Sequence, residues 1–451
     1  METKSPFSAS SENLSSSPSL LITESAQASS QPVSGTAYSQ PVSEQALAQL
    51  ISDGFDRAKA GDGRNVYESV HACASRIPSR SHYTFGWIIY YTLHQSGSGD
   101  IPFRKRLLAE YLALSTPRPH KLHSMILQVA IQLYKDVKNV QFNAHGNGEN
   151  HAPSFSILRF AALWGLDHLR EGDWRRKDFN GKALSATAEK LITVLVDEAD
   201  SSHTLPDESI VELVDKAVKK FPDSASLLSQ RATLYILAGD IDKAKTLLRQ
   251  ALVLAPGKIF IWSRLASLID INTQPRLRLA LFVRALNSPG QELFKGRIHL
   301  QMAEVWASQG RFPQGAWELD KVKRLYESQH WHMPALYTKL LAAIPEGTMP
   351  ENPAATYKKL AGITDTYVYE MLPEISVKKT YHKEAKAENP ISWRVTDANG
   401  ENYWLQPHKF GLQSDLPKGI ALLIRVNGNK VVTARIQSTS AANVNLAGLQ
   451  G

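Results

Sequence analysis

Prolines at 222, 256 and 289 stand 34 and then 33 residues apart, and the residues between them repeat. The first interval holds Leu228, Ala232, Tyr235, Gly239-Asp240, Ala244, Leu248 and Ala251, and the second holds Trp262, Leu265-Ala266, Leu279, Phe282 and Ala285. Apolar residues at helical spacing on both sides of a turn predict two helices per interval. Alanine recurs where two helix axes must approach closely, and larger residues fill the gaps between those crossings. A helical hairpin of this size cannot bury both of its faces alone, so the pattern demands stacking of about three or more units.

This pattern resembles the tetratricopeptide repeat, whose period is about 34 residues. A third unit is legible at Ala303, Trp306, Gly310-Arg311-Phe312, Gly315, Leu319 and Val322, and a partial earlier one at Ile210, Val214 and Ala217. The second unit departs from the pattern, with Thr273-Gln274-Pro275 in place of Gly-Asp and Arg278 in place of a small residue. The resemblance implies a protein partner in a groove along the first helices, with Ser229, Thr233, Phe260, Ser263, Ser267 and Arg297 as its candidate lining. The lysines and asparagines that form the family's carboxylate clamp are absent from that face.

A chain of 451 residues suggests about two to four domains. The formal charge of +8 permits an acidic partner. A single cysteine, Cys73, excludes an internal disulfide framework and a cysteine-rich zinc site, and its apolar helical surroundings read as packing. There is no apolar run long enough to cross a membrane and no basic-then-apolar leader, so the reading is a cytoplasmic protein. Residues 1–43 hold 14 serines and almost no periodic apolar residues, which predicts a disordered solubilising or linker tail, with a phosphorylation tail as the alternative.

Residues 44–200 read as a helical region. Apolar spacing predicts helices around Ala46–Phe55, Val66–Ile77, Tyr83–Leu93, Pro102–Leu114, Leu122–Val137, Phe155–Leu169 and Lys182–Ala199, with a Gly/Asn-rich loop over 143–153. The aromatic stripe Tyr83, Phe85, Trp87, Tyr90, Tyr91 reads as core rather than a ligand site. Residues 204–372 hold the repeats and the helices that continue them.

After Pro373 the pattern changes. Ser392–Val395, Asn402–Gln406, Ala421–Val426 and Lys430–Ile436 are short β-branched or aromatic runs separated by Asn399-Gly400 and Asn427-Gly428-Asn429, a strong hairpin signal. They predict a small antiparallel β-barrel over 375–440, followed by a loose tail over 441–451. Ile375–Ile436 carries ten Lys and Arg against five Asp and Glu, interleaved with Tyr381, Trp393, Tyr403, Trp404 and Phe410. Cations neutralise phosphates and rings stack on bases, so this mixture suits single-stranded RNA or DNA. The candidates are Trp393, Arg394, Tyr403, Trp404, Gln406, Lys409, Phe410, Arg425 and Arg435. The segments Tyr403-Trp404-Leu405-Gln406, Phe410-Gly411-Leu412 and Leu416-Pro417-Lys418-Gly419 resemble a cold-shock or OB-type barrel, which implies a stacking role for Trp404 with Gln406 as its polar neighbour. Strand alternation allows only one of Trp393 and Arg394 to share the face of Trp404. The other reading makes Trp393 and Tyr403 core of a barrel that is structural or docks protein.

Other chemistry finds little support. His120 and His123 form a lone pair without a third ligand, and Arg118 with His123 matches the loose spacing of some helical ribonucleases. No nucleophile elbow, phosphate loop or zinc-protease helix is present, and neither a metal nor a cofactor is expected. Tyr111-Leu112, Pro119-His120, His123-Ser124, Phe160, Trp164-Gly165-Leu166, Arg170 and Asp173-Trp174, together with the repeats and the basic β region, resemble uncharacterised repeat proteins of bacterial genomic-conflict and defence loci. Arg170 and Asp173 are expected to form a local ion pair over Trp174. The chain thus reads as a mainly α, non-enzymatic scaffold: a tetratricopeptide-like α-solenoid that binds a protein, with a C-terminal OB-like barrel for single-stranded nucleic acid. A pure protein adaptor is the first alternative and a helical ribonuclease the lesser one.

Overall fold

The computed structural model describes residues 43–144, 154–290, 292–383 and 391–437. The serine-rich tail, most of the 143–153 loop and the C-terminal tail therefore lie outside the described residues. The chain divides into two compact units between Leu213 and Val214.

The first unit is helical. It contains α1 (Glu44–Arg57), α2 (Gly63–His71), α3 (His82–Gln95), α4 (Ile101–Ala113), α5 (Lys121–Ala144) and α6 (Ile157–Trp164). The strands β1 (Lys177–Phe179) and β2 (Lys182–Leu184) precede α7 (Thr187–Ser202), and α8 (Glu208–Lys220) leads into the second unit. The hairpin corrects the helix expected from Lys182. Asn180 and Gly181 both have positive φ, 52° and 72°, and this Asn-Gly turn holds a two-residue connection that a helix cannot contain. Asp173 accepts the Arg170 backbone N–H and the Ser124 hydroxyl, at 2.9 and 2.7 Å, so its carboxylate caps a turn instead of pairing with the guanidinium.

The second unit stacks helical hairpins as the repeat predicts: α9 (Ala225–Leu237) with α10 (Ile241–Leu254), α11 (Ile259–Ser267) with α12 (Pro275–Leu286), and α13 (Glu292–Ser308) with α14 (Phe312–Ser328). Ala232, Ala244, Ala251, Ala266, Ala285 and Ala303 are fully buried at the crossings. Gly239 and Gly310 occupy the left-handed region at the ends of α9 and α13, where a side chain would be strained. Each lets the next N–H reach back to the helix, Asp240 to the Tyr235 carbonyl at 2.8 Å and Arg311 to the Trp306 carbonyl at 2.9 Å. The middle hairpin lacks this glycine. There Asp270 Oδ1 accepts the N–H groups of Asn272 and Thr273, and Arg278 Nη1 donates to the Ile269 carbonyl at 3.0 Å, so the unusual arginine closes the longer turn.

Two further helices, α15 (Ala335–Ala343) and α16 (Ala354–Tyr369), follow. α15 packs on α13 and α14, whereas α16 returns to α12 and α10. Glu318 on α14 is fully buried and accepts hydrogen bonds from the Tyr357 hydroxyl of α16 and from His299 Nδ1, the latter at 2.5 Å. Trp306 Nε1 donates to the same tyrosine at 3.0 Å. Burial first, and Glu318 second, push the Tyr357 phenol well above its usual range.

The barrel has five strands rather than four: β3 (Ile375–Lys383), β4 (Ser392–Asp397), β5 (Asn402–Leu405), β6 (Ala421–Asn427) and β7 (Lys430–Ile436). They close in the order β3-β4-β5-β7-β6, the arrangement of an OB-type barrel. The β5–β7 pair is parallel, so the sheet is not purely antiparallel. Val377, Trp393, Val395, Tyr403, Leu405, Leu422, Ile424 and Val431 fill its interior. The barrel is seated on the helices of its own unit. Val432 joins their apolar core, the Asn427 side-chain amide donates to the Val253 carbonyl at the end of α10, and Arg425 Nε donates to the Leu372 carbonyl at 3.0 Å.

Candidate nucleic-acid interface

Strand pairing decides which residues share the outer surface of the barrel. Tyr381, Arg394, Trp404 and Lys430 are successive cross-strand partners on β3, β4, β5 and β7. All four are exposed, Tyr381 by 48% and Trp404 by 51%. The two rings meet edge to face with centroids 6.3 Å apart, and the Arg394 guanidinium lies 5.7 Å from the Tyr381 ring. Lys378 and Lys383 are exposed on the same strand as Tyr381. The row therefore presents aromatic, cationic, aromatic and cationic side chains in sequence across four strands.

Tyr381 reaches this surface through a bulge. Val377 and Lys379 point inward, and strict alternation would send residue 381 inward as well. The register shifts between Lys379 and Tyr381, and the Thr380 hydroxyl donates to the Arg394 carbonyl at 3.1 Å. The extra residue reverses the facing of the rest of the strand. No alternation pattern in the sequence signals this, and Tyr381, like Lys430, is absent from the candidates named from the sequence.

Arg394, not Trp393, shares the face of Trp404. Trp393 and Tyr403 belong to the core, and Phe410 packs against it. The Tyr403 hydroxyl donates to Glu401 at 2.6 Å, a bond that raises its pKa to about 12. Arg425 and Arg435 are held by Glu374, Arg425 at 3.4 Å and Arg435 at 3.0 Å, so they anchor the barrel instead of flanking the aromatic row. Gln406 is half-buried just after β5, and Lys409 is exposed on the turn Pro407–Phe410. Lys379 is buried: its ammonium donates to the Leu416 carbonyl and lies 4.2 Å from the Trp393 ring, and burial lowers its pKa.

The groove candidates also separate. Ser229 and Thr233 are buried, and the Thr233 hydroxyl donates to the Ser229 carbonyl at 3.0 Å while accepting from Arg264. They are interior, where the Arg264 guanidinium of α11 reaches across to α9. Ser263 is half-buried, whereas Phe260, Ser267 and Arg297 are exposed. Ser267 Oγ accepts from Gln301 Nε2 at 3.1 Å, which ties α11 to α13.

His123 is 1% exposed and stacked on Trp164 at 4.3 Å. Its Nδ1 meets the Tyr111 hydroxyl and its Nε2 the Trp164 carbonyl, both at 3.1 Å. Burial lowers its pKa to about 4. Both ring nitrogens are thus engaged inside the fold. Among the described residues no group of three or more His, Cys, Asp or Glu could hold a metal ion, and no helix is long and apolar enough to cross a membrane.

A family profile described as a domain of unknown function (DUF7017) matches residues 228–362, from α9 into α16 and short of the barrel. No curated protein matches the chain. A solved structure of Naa15/Naa10 bound to HypK-THB is similar at 15% identity and a TM-score of 0.27, over 73% of this chain and 55% of that one.

Proposed function

We propose that this protein is a scaffold whose C-terminal barrel binds single-stranded RNA or DNA while its helical hairpins engage a protein partner. The observation that carries the nucleic-acid part is the exposed row Tyr381–Arg394–Trp404–Lys430. Two rings in the open are poor economy for a domain this small unless something stacks on them, and base stacking contributes roughly 1–3 kcal/mol per ring. The middle of the row, Arg394 and Trp404, lies on the second and third strands of the barrel, the face on which OB-type barrels take oligonucleotides. Three cations beside it, Lys383, Arg394 and Lys430, give an expected salt slope of about −2 in log affinity against log salt.

Fluorescence anisotropy of the full chain with labelled single-stranded RNA and DNA, across a salt series, tests this reading. The full chain is required because Val432 is buried against the helices. Binding that weakens with salt and falls in Arg394→Ala supports the proposal. Salt-insensitive binding, or none, overturns it. The adaptor reading is favoured by a different observation, the seating of the barrel on α10 and α16, and it predicts that Phe260→Ala weakens capture of a protein partner with the nucleic-acid affinity unchanged. The ribonuclease reading loses its candidate base, since both nitrogens of His123 are engaged. The defence-locus resemblance adds no residue to either site.

A further inference from the structure

We infer that a cleft in the first unit, between α3 and α5 and closed by the start of α4, is a binding site for a nucleobase. The inference is independent of the barrel. The cleft has a volume of about 410 Å³, in the range of small-ligand sites. Its walls differ in chemistry. Tyr90 supplies a flat side, fixed edge-on against Trp87 at 5.7 Å and against Tyr91 at 5.5 Å. Leu93, Met125 and Val129 supply an aliphatic floor. Only Phe85 of the aromatic stripe is fully core; Trp87, Tyr90 and Tyr91 stay half-buried around this side of α3.

The polar end carries the specificity. Arg104 is 5% exposed, and its Nη1 donates to Asp136 Oδ2 at 2.6 Å. Gln132 Nε2 holds the other carboxylate oxygen at 2.8 Å. Among the described residues the Arg104 Nε–H has no hydrogen-bond partner. A buried ion pair that leaves a donor unsatisfied stabilises a fold poorly, so stability alone does not account for this pair in the wall of a cleft. Arg104 and Asp136 both line the cleft and each Asp136 oxygen keeps a lone pair, so the cleft end sets a guanidinium beside a carboxylate acceptor. A planar heterocycle whose edge bears an adjacent donor and acceptor complements both, and every nucleobase has such an edge. The opposite charges of Arg104 and Asp136 cancel, which disfavours a bare phosphate or a polycation.

Isothermal titration of the full chain with guanosine, adenosine, cytidine and uridine tests the inference, with ribose 5-phosphate as the probe lacking a base. At least one nucleoside binds below about 1 mM while ribose 5-phosphate does not, and Tyr90→Ala weakens binding about tenfold, the scale of one stacking contact. Gln132→Ala does the same by freeing the carboxylate; this residue is exposed, so the variant keeps its fold. A Trp404→Ala background removes the barrel's contribution and separates two sources. There, displacement of the nucleoside by a single-stranded hexamer identifies a base presented by a strand, and no displacement identifies the free nucleoside. Silence from all four nucleosides, equal binding of ribose 5-phosphate, or an unchanged affinity in Tyr90→Ala overturns the inference.

Discussion

Trp393 and Trp404 lie on neighbouring strands on opposite sides of one barrel wall, so the same substitution should have opposite consequences. Trp393 is fully buried with Lys379 over its ring. Truncation of a buried tryptophan to alanine costs about 3–5 kcal/mol, from lost transfer energy and the cavity left behind. For a unit of this size each kcal/mol lowers the melting temperature by about 2–4 °C, so Trp393→Ala should melt roughly 6–20 °C below the parent. Trp404 is half exposed and packs mainly against the edge of Tyr381. Its removal should shift the melt by little, yet cost the roughly 1–3 kcal/mol of one stacked base, about a 5- to 150-fold loss of affinity. Circular dichroism melts and anisotropy titrations on the same three proteins read both effects. If Trp404→Ala binds single strands as the parent does, the exposed row is not a stacking platform. If it melts as low as Trp393→Ala, the assignment of inner and outer faces is wrong.

Two further predictions concern the helices. Glu318→Ala leaves Tyr357 and His299 without their shared acceptor and should cost about 3–5 kcal/mol in urea denaturation, while Glu318→Gln, which keeps an acceptor, should cost clearly less; equal losses would mean the cluster is simple packing. His123 should make the first unit acid-sensitive. Its folded pKa of about 4 lies below the usual 6.5, so the unfolded chain binds the proton more readily between these values. The histidine's contribution is full above pH 6.5 and is lost as pH falls towards 4. His123→Phe should flatten that slope in melts taken from pH 7 to 4, and an unchanged slope would assign the acid sensitivity to other groups.

The helical hairpins were legible from the chain because their signal is local and repeated. Alanines at the crossings, glycines at the turns and prolines at the ends each report a constraint felt within a few residues. The Asn180-Gly181 hairpin carried an equally local signal, but the apolar spacing that follows from Lys182 masked it. The fifth strand, β3, was missed because its run of lysines and alternating polar residues has few of the β-branched clusters that mark the others.

What sequence alone determined was the helical hairpins, four of the five barrel strands, and the mixture of charge and aromatic residues at the C-terminus. Which of those residues face outward was a tertiary decision. The bulge after Lys379 turned Tyr381 out, and register placed Arg394 beside Trp404. Closure of the barrel drew Trp393 and Tyr403 inward, and Glu374 took Arg425 and Arg435. The return of α16 onto α10 and α12 likewise puts Leu360, Val368 and Tyr369 into a shared core, while Tyr357 bonds to the buried Glu318 39 residues away. The physical reason is common to all of these. Periodicity reports one element's own faces, whereas pairing between strands and helices distant in sequence depends on complementary surfaces that exist only once the chain has closed on itself.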